Sequence, residues 1–371
     1  MPELDAIRGT AILLVFWFHG FESLMPTGTG TPKWERAFLA VAKQGWMGVN
    51  LFFVLSGFLI TAILLDSARL PTYYSRFYCR RALRILPVYY LLLVALISLV
   101  HVSFMPRHTS LAFAGLSFIY LSNVTPLLGV PMDYGPLWSL AVEEHFYILW
   151  PVAVRTLTTR KLTLLASSIC AIEPLLRVYA VYRGGLWWGP YTWLSADGLA
   201  LGGLLAIFSR SPRANRSALF KLSSLAAVGA VAALAISTLV PRSFAVGIRG
   251  TCVNYLAFAL VGGTLWLGTG AYRKFANVRA LSFFGYISYG LYLIHVIVLD
   301  LYDGIVGRYM PSLAVGNSFA KYCLRLIVAI LFAGGVAYLS RTSYEEWFLN
   351  MKQKISSGEP SALLEKAKAT S

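Results

Sequence analysis

Charge is scarce in this chain. Of its 371 residues only 13% are Asp, Glu, Lys or Arg, about half the share of an ordinary soluble domain. Acidic residues are scarcer still, 16 against 32 basic ones. Such a sequence has too few charges to clothe a soluble globule. Cysteine is sparse and scattered: Cys79, Cys170, Cys252 and Cys323 lie far apart, in or near apolar runs. They form neither a disulfide framework nor a metal-ligand spacing. The five histidines make no zinc signature either, so no metal is expected. Short runs of alternating apolar and polar residues are missing, which excludes an outer-membrane barrel. The formal charge of +16 is not gathered into a soluble basic domain. Nucleic acid is therefore excluded as a partner, and lipid and topology account for the basic residues.

What is present is apolar sequence in long pieces. Hydrophobic residues make up 57% of the chain and the mean hydropathy is +0.65. Windows of about 20 residues fit the hydrocarbon thickness of a bilayer. They fall near 4–25, 45–66, 85–105, 138–157, 162–182, 191–209, 219–240, 250–270, 280–302 and 320–340. The class is an all-α polytopic membrane protein of about ten spans in the cytoplasmic (inner) membrane. The first run has no basic leader and no small-residue cleavage site, and Glu3 and Asp5 precede it; it reads as a retained span. A further segment, 111–130, is broken by Asn123, Pro126 and Gly129. With ten spans and both termini cytoplasmic, roughly two thirds of the 32 basic residues face inward, as the positive-inside rule requires. If 111–130 crossed, most of these would turn outward, so it reads as a re-entrant or interfacial hairpin. A membrane domain over 1–345 and a polar, disordered cytoplasmic tail over 346–371 complete the organisation.

Ionisable residues inside such spans are costly without a partner or a task. Arg8 and His19 sit in the first span; eleven helical steps bring them within about 20° of one face and about 16 Å apart along the axis. A lone interior histidine more often just bonds a neighbouring helix. Glu143, Glu144 and His145 lie in the fourth span, where His145 and Glu144 suit a headgroup region. Glu173 and Arg177 are four apart and fit an intrahelical pair. Asp197, His295 and Arg325 are each compatible with packing or with a site. The stretch RFYCRRALRILPVYY sets Arg76, Arg80, Arg81 and Arg84 before the third span. Topology and lipid phosphate explain it as well as a polyanion site does, in which Arg81 and Arg84, one helical turn apart, converge on one ligand. Asn50, Ser56 and Gly57 in GVNLFFVLSGFLIT default to close helix packing.

Taken together, these stretches resemble the acyltransferase family 3 proteins, integral membrane O-acyltransferases. The resemblance rests on Arg8-x10-His19, GVNLFFVLSGFLIT (48–61), RRALRILPVYY (80–90), LWSLAVEEHFYILWP (137–151), DGLALGGLLA (197–206) and ISYGLYLIHV (287–296), in the family's order. Two departures stand out: Asn50 where Asp is common, and Pro136 where many members have His. Some larger members carry an appended hydrolase-like domain; the shorter architecture is expected here.

The resemblance implies His19 as catalytic histidine, Arg8 as its motif partner and Glu143 as the usual glutamate. It implies Arg81 and Arg84 on the acyl-donor side, with Asn50, Trp138, Asp197 and His295 as candidates for the substrate side. The implied reaction moves an acyl group, expected to be acetyl, from acetyl-CoA or another acyl-CoA to a hydroxyl of a carbohydrate. The acceptor would belong to a surface polysaccharide, lipopolysaccharide or glycoside, and no metal takes part. The alternative is a multi-span transporter or flippase using buried His, Glu and Arg as a proton or substrate pathway. Matching halves would favour that alternative, and none is found.

Overall fold

The computed structural model describes residues 2–24, 32–99, 109–184, 190–266, 278–314 and 318–351. The distal ends of the expected spans 85–105 and 250–270, and the tail from 352 onward, lie outside them. Among the described residues the structure is helical, with no strand. The helices are α1 (Pro2–Phe21), α2 (Lys33–Ala42), α3 (Met47–Ser67), α4 (Tyr73–Leu99), α5 (Leu111–Phe118), α6 (Leu137–Thr156) and α7 (Thr159–Tyr182). They continue with α8 (Asp197–Ser209), α9 (Arg216–Ile236), α10 (Arg242–Trp266), α11 (Arg279–Tyr286), α12 (Ser288–Tyr309) and α13 (Phe319–Leu339). A π-helical turn, Ser340–Tyr344, leads α13 into a last helical stretch ending at Met351.

Among the described residues, eight helical stretches are long and apolar enough to cross a membrane. They account for eight of the expected spans; α6 and α8 are the other two. The 20 residues of α6 suffice in length, at about 1.5 Å each, but Glu143, Glu144 and His145 dilute its hydropathy. The 13 residues of α8 reach only about 20 Å, short of a hydrocarbon layer of about 30 Å. The segment 111–130 does not form a spanning helix. It holds the eight-residue α5, capped by Ser110, whose hydroxyl accepts from the Phe113 amide, and a short 3-10 turn over Thr125–Leu128. Its backbone is tied to the bundle: the Tyr89 hydroxyl donates to the Ser117 carbonyl at 2.6 Å, and Ser122 Oγ donates to the Leu137 carbonyl. Non-helical backbone within a membrane protein needs such partners.

Helices α1, α3 and α12 run through the interior, sharing buried clusters with α4, α6, α8 and α10. The outer helices α7, α9 and α13 turn leucine and valine outward, for example Leu175, Leu225 and Leu331, the pattern of a bundle whose solvent is lipid. Glycine sets the closest approach. A methyl at Gly57 would overlap the Leu199 carbonyl, and one at Gly202 the Val54 carbonyl, so α3 and α8 meet backbone to backbone. Buried polar ties fix the rest. Tyr73 and Tyr78 of α4 donate to the Pro151 and Ile148 carbonyls of α6, each at 2.8 Å.

Candidate functional site

Helix α1 carries its two ionisable residues as the 3.6-residue period dictates. Arg8 pairs with Asp5 one turn earlier at 2.7 Å and lines a cavity of about 180 Å³ among α1, α3, α4, α6 and α12. Arg81, Arg84 and Glu143 line the same cavity, with Ser56, Ser139, Tyr147, Tyr289 and Tyr292. Four of the five residues singled out as catalytic or donor-binding therefore share one space. Arg81 lies over the Tyr147 ring, 4.1 Å from its centroid. Its buried Nε has no hydrogen-bond partner among the described residues, so guanidinium donor capacity remains at the cavity wall. Glu143 interacts with Arg81, Ser56 and Tyr147, and the Ser56 and Tyr147 hydroxyls are themselves 3.0 Å apart. The phenol of Tyr147, one turn beyond Glu143 on α6, thus ties that carboxylate to α3.

His19 does not line this cavity; it sits behind its inner wall. There the Tyr292 hydroxyl and Ser139 Oγ share a hydrogen bond of 2.5 Å, joining α12 to α6. One turn further along α12, His295 is fully buried. Its Nδ1 lies 2.6 Å from the Tyr292 carbonyl. A carbonyl only accepts, so Nδ1 carries the proton and Nε2 is left as an acceptor. That Nε2 lies 3.2 Å from Nδ1 of His19, which is also 3.0 Å from the Val15 carbonyl. Both neighbours accept, so the neutral His19 ring bears its proton on Nδ1 and its lone pair on Nε2. The two rings meet edge to face with centroids 4.8 Å apart.

The other expected residues go elsewhere. Asp197 is 2% exposed and forms a two-pronged ion pair with Arg177, at 2.6 and 3.1 Å. Glu173 accepts from the Asp197 amide at 2.7 Å. The expected Glu173–Arg177 intrahelical pair is thus replaced by a link from α7 to α8, because the tertiary partner offers two oxygens in guanidinium geometry. Thr251 also contacts Arg177, and Asn254 donates to Asp197 at 2.9 Å. Asn50 donates to Asn254 at 2.7 Å, so it belongs to this network and not to the cavity lining. Trp138 packs edge to face on Phe53. Arg325 binds Asp303 at 2.6 and 2.7 Å and donates to the Gly20 carbonyl, anchoring α1 just past His19. His145 Nδ1 lies 2.7 Å from Thr192 Oγ1 and not in open headgroup space. Ser56, Tyr147, Ser139 and Tyr292 were not singled out for chemistry in the sequence. Only the one-turn offset of Tyr147 from Glu143 signalled any of them.

A larger recess of about 1400 Å³ between α7, α8, α9 and α10 is walled mainly by aliphatic side chains, and none of the candidate residues lines it. No cluster of three potential metal ligands occurs among the described residues.

A helical membrane bundle that gathers arginines and a glutamate in an interior cavity beside a histidine pair has the makings of a group-transfer site inside a bilayer. A family model described as an acyltransferase domain matches residues 1–338, and the chain belongs to that family. It is 35% identical over 172 residues to a putative peptidoglycan O-acetyltransferase, YrhL, of Bacillus subtilis, covering 41% of this chain and 23% of that protein. It is 33% identical over 164 residues to the peptidoglycan O-acetyltransferase OatA of Listeria monocytogenes, covering 41% and 24%. A putative acetyltransferase of Acidianus two-tailed virus is 26% identical over 314 residues, covering 82% and 85%. The matches to the two bacterial relatives span about a quarter of their length. No solved structure matches the chain.

Proposed function

We propose that this protein is a membrane-bound O-acetyltransferase that moves an acetyl group from acetyl-CoA to a hydroxyl of a cell-surface carbohydrate. The observation that carries this reading is the His19–His295 contact behind the cavity, which leaves the His19 lone pair on Nε2. An imidazole so held is a general base. In the reaction, Nε2 takes the proton of the acceptor hydroxyl as its oxygen attacks the thioester carbonyl. The C–S bond breaks, the thiolate leaves and the imidazolium returns the proton to sulfur. Arg81 and Arg84 attract the phosphates of the donor. Glu143, held by Ser56 and Tyr147, balances their charge. His295 acts as a positioning residue, fixing the ring and tautomer of His19. Tyr292 and Ser139 form the wall through which the acyl end must be passed.

The donor enters from the cytoplasm and the acceptor from the outer side, with α6 and α8 completing ten spans and both termini inside. The named relatives support a cell-wall or other surface glycan as the acceptor class. The test is transfer of labelled acetyl from acetyl-CoA by purified full-length protein in lipid nanodiscs, using surface glycan from a deletion strain as acceptor. Wild-type protein transfers label and His19→Ala loses at least about 10²-fold in rate. Undiminished transfer by His19→Ala would overturn the mechanism. Substrate flux in proteoliposomes without thioester consumption would favour a transporter.

A further inference from the structure

A second cavity, of about 250 Å³, adjoins the first, and Arg84, Ser288 and Tyr289 line both. Its own walls are Tyr286, Arg341, Glu345 and Leu349. They come from α11 and from the end of α13, where the helix opens into the π-helical turn Ser340–Tyr344. π-turns recur at functional sites because they re-aim the side chains around them. Here the turn precedes Glu345 directly. Glu345 is 7% exposed, yet its Oε1 has no hydrogen-bond partner among the described residues. Arg341 stands 3.9 Å from the other oxygen, and the Ser340 hydroxyl and Arg84 also act on this carboxyl group. A buried acceptor left open costs about 1–3 kcal/mol unless something fills it. Gly290 keeps the space in front of that oxygen open, since a methyl there would stand 3.4 Å from it. The Arg341 guanidinium carbon lies over the Tyr286 ring, 4.7 Å from its centroid. Arg84, between the two cavities, feels the positive fields of Arg81, Arg8 and Arg341.

We propose that this second cavity, built by Tyr286, Arg341 and Glu345 with Arg84 at its threshold, binds the adenine-nucleotide end of the acyl donor. The inference rests on the preceding reading of the first cavity as the seat of a coenzyme A thioester. It adds a subsite for the half of that molecule remote from the thioester. A nucleotide brings the three features the walls complement: anionic phosphates for Arg84 and Arg341, an aromatic base for the Tyr286–Arg341 face, and N–H or O–H donors for Glu345 Oε1. A phospholipid headgroup brings phosphate but no ring. Only a long, jointed ligand makes use of two cavities that share Arg84. The nucleotide is thereby held at one end, and the pantetheine arm lies along the first cavity toward Tyr292 and His19.

The experiment is equilibrium binding of CoA, and of adenosine 3′,5′-bisphosphate alone, to the full-length protein in nanodiscs. It compares wild type, Arg341→Ala and the near-isosteric Glu345→Met, which removes the acceptor oxygen, each checked for an unchanged unfolding temperature. The expected result is a loss of about tenfold in affinity for both ligands in each variant. Unchanged affinity in a folded Glu345→Met or Arg341→Ala protein would overturn the proposal. So would wild-type protein that binds CoA but shows no affinity for the bisphosphate. Release of a co-purifying anionic phospholipid by these substitutions, with nucleotide binding unaffected, would assign the cavity to a lipid headgroup instead. Nucleotide binding by a protein that never transfers acetyl would keep this subsite and remove the transferase reading, so the two fail separately.

Discussion

At the scale of single residues, the proposed chemistry depends on a ring held from two sides. His295→Phe keeps bulk but removes the acceptor facing His19. On the proposed mechanism it lowers kcat on the order of 10²-fold while KM for acetyl-CoA stays within about twofold, read from steady-state transfer kinetics. Arg81→Lys retains charge but not the planar fork or the stack on Tyr147; it raises KM for the donor by about tenfold, with a smaller effect on kcat. An equal fall of kcat in both variants would place Arg81 with the reacting atoms instead. His19, Arg8, Glu143, Arg81 and Arg84 stood out as ionisable residues in or beside apolar runs, but their roles were implied by the family resemblance and not by that placement. His295 was visible too, but not its partner. The 276-residue separation of the two histidines carries no trace of which helices adjoin. Glu345 was passed over because it lies in polar-looking sequence next to the tail, where a carboxylate needs no explanation until it is found buried.

At the scale of elements, apolar length identified the helices, so the make-up of the bundle was largely readable. Local rules misled where tertiary geometry competes with them. Glu173 and Arg177 obey the four-residue spacing of a surface pair, yet Asp197 wins the guanidinium because both its oxygens reach it. Segment 111–130 was made ambiguous by its Asn, Pro and Gly and read as non-spanning from the distribution of basic residues, although its ties to Tyr89 and Leu137 were not foreseen. Packing at the α3–α8 contact makes a direct prediction. Gly57→Leu and Gly202→Leu each drive a side chain into the facing backbone and cost about 1–3 kcal/mol or more. A lower melting temperature in detergent, with the wild-type oligomeric profile otherwise kept, is the expected outcome. Gly229, where an added methyl meets nothing within 4 Å, is the control, and Gly229→Ala leaves the melting temperature essentially unchanged.

At the scale of the whole molecule, the network of Asn50, Asn254, Asp197, Arg177 and Glu173 ties α3, α7, α8 and α10 into one unit. Removing one member of its ion pair strands a buried charge. Arg177→Met destabilises by about 3–5 kcal/mol, and the double variant Arg177→Met with Asp197→Leu recovers a large part of that loss. Thermal unfolding of the purified proteins measures both, and a double variant less stable than the single one would contradict the pairing account. The same pair also bears on how the chain is made. Asp197 opens α8 and Arg177 lies in the last two turns of α7, so both charges sit toward helix ends, where the bilayer penalty is below that at a helix centre. Arg177 is synthesised 20 residues before the Asp197 that neutralises it. α7 is long and apolar enough to cross by itself whereas the 13-residue α8 is not, so the ion pair predicts that Arg177→Met lowers the insertion efficiency of α8 more than that of α7. The expected order of assembly is α7, then α8 held by its ion pair, then α10, whose Thr251 and Asn254 complete the contacts to Asp197.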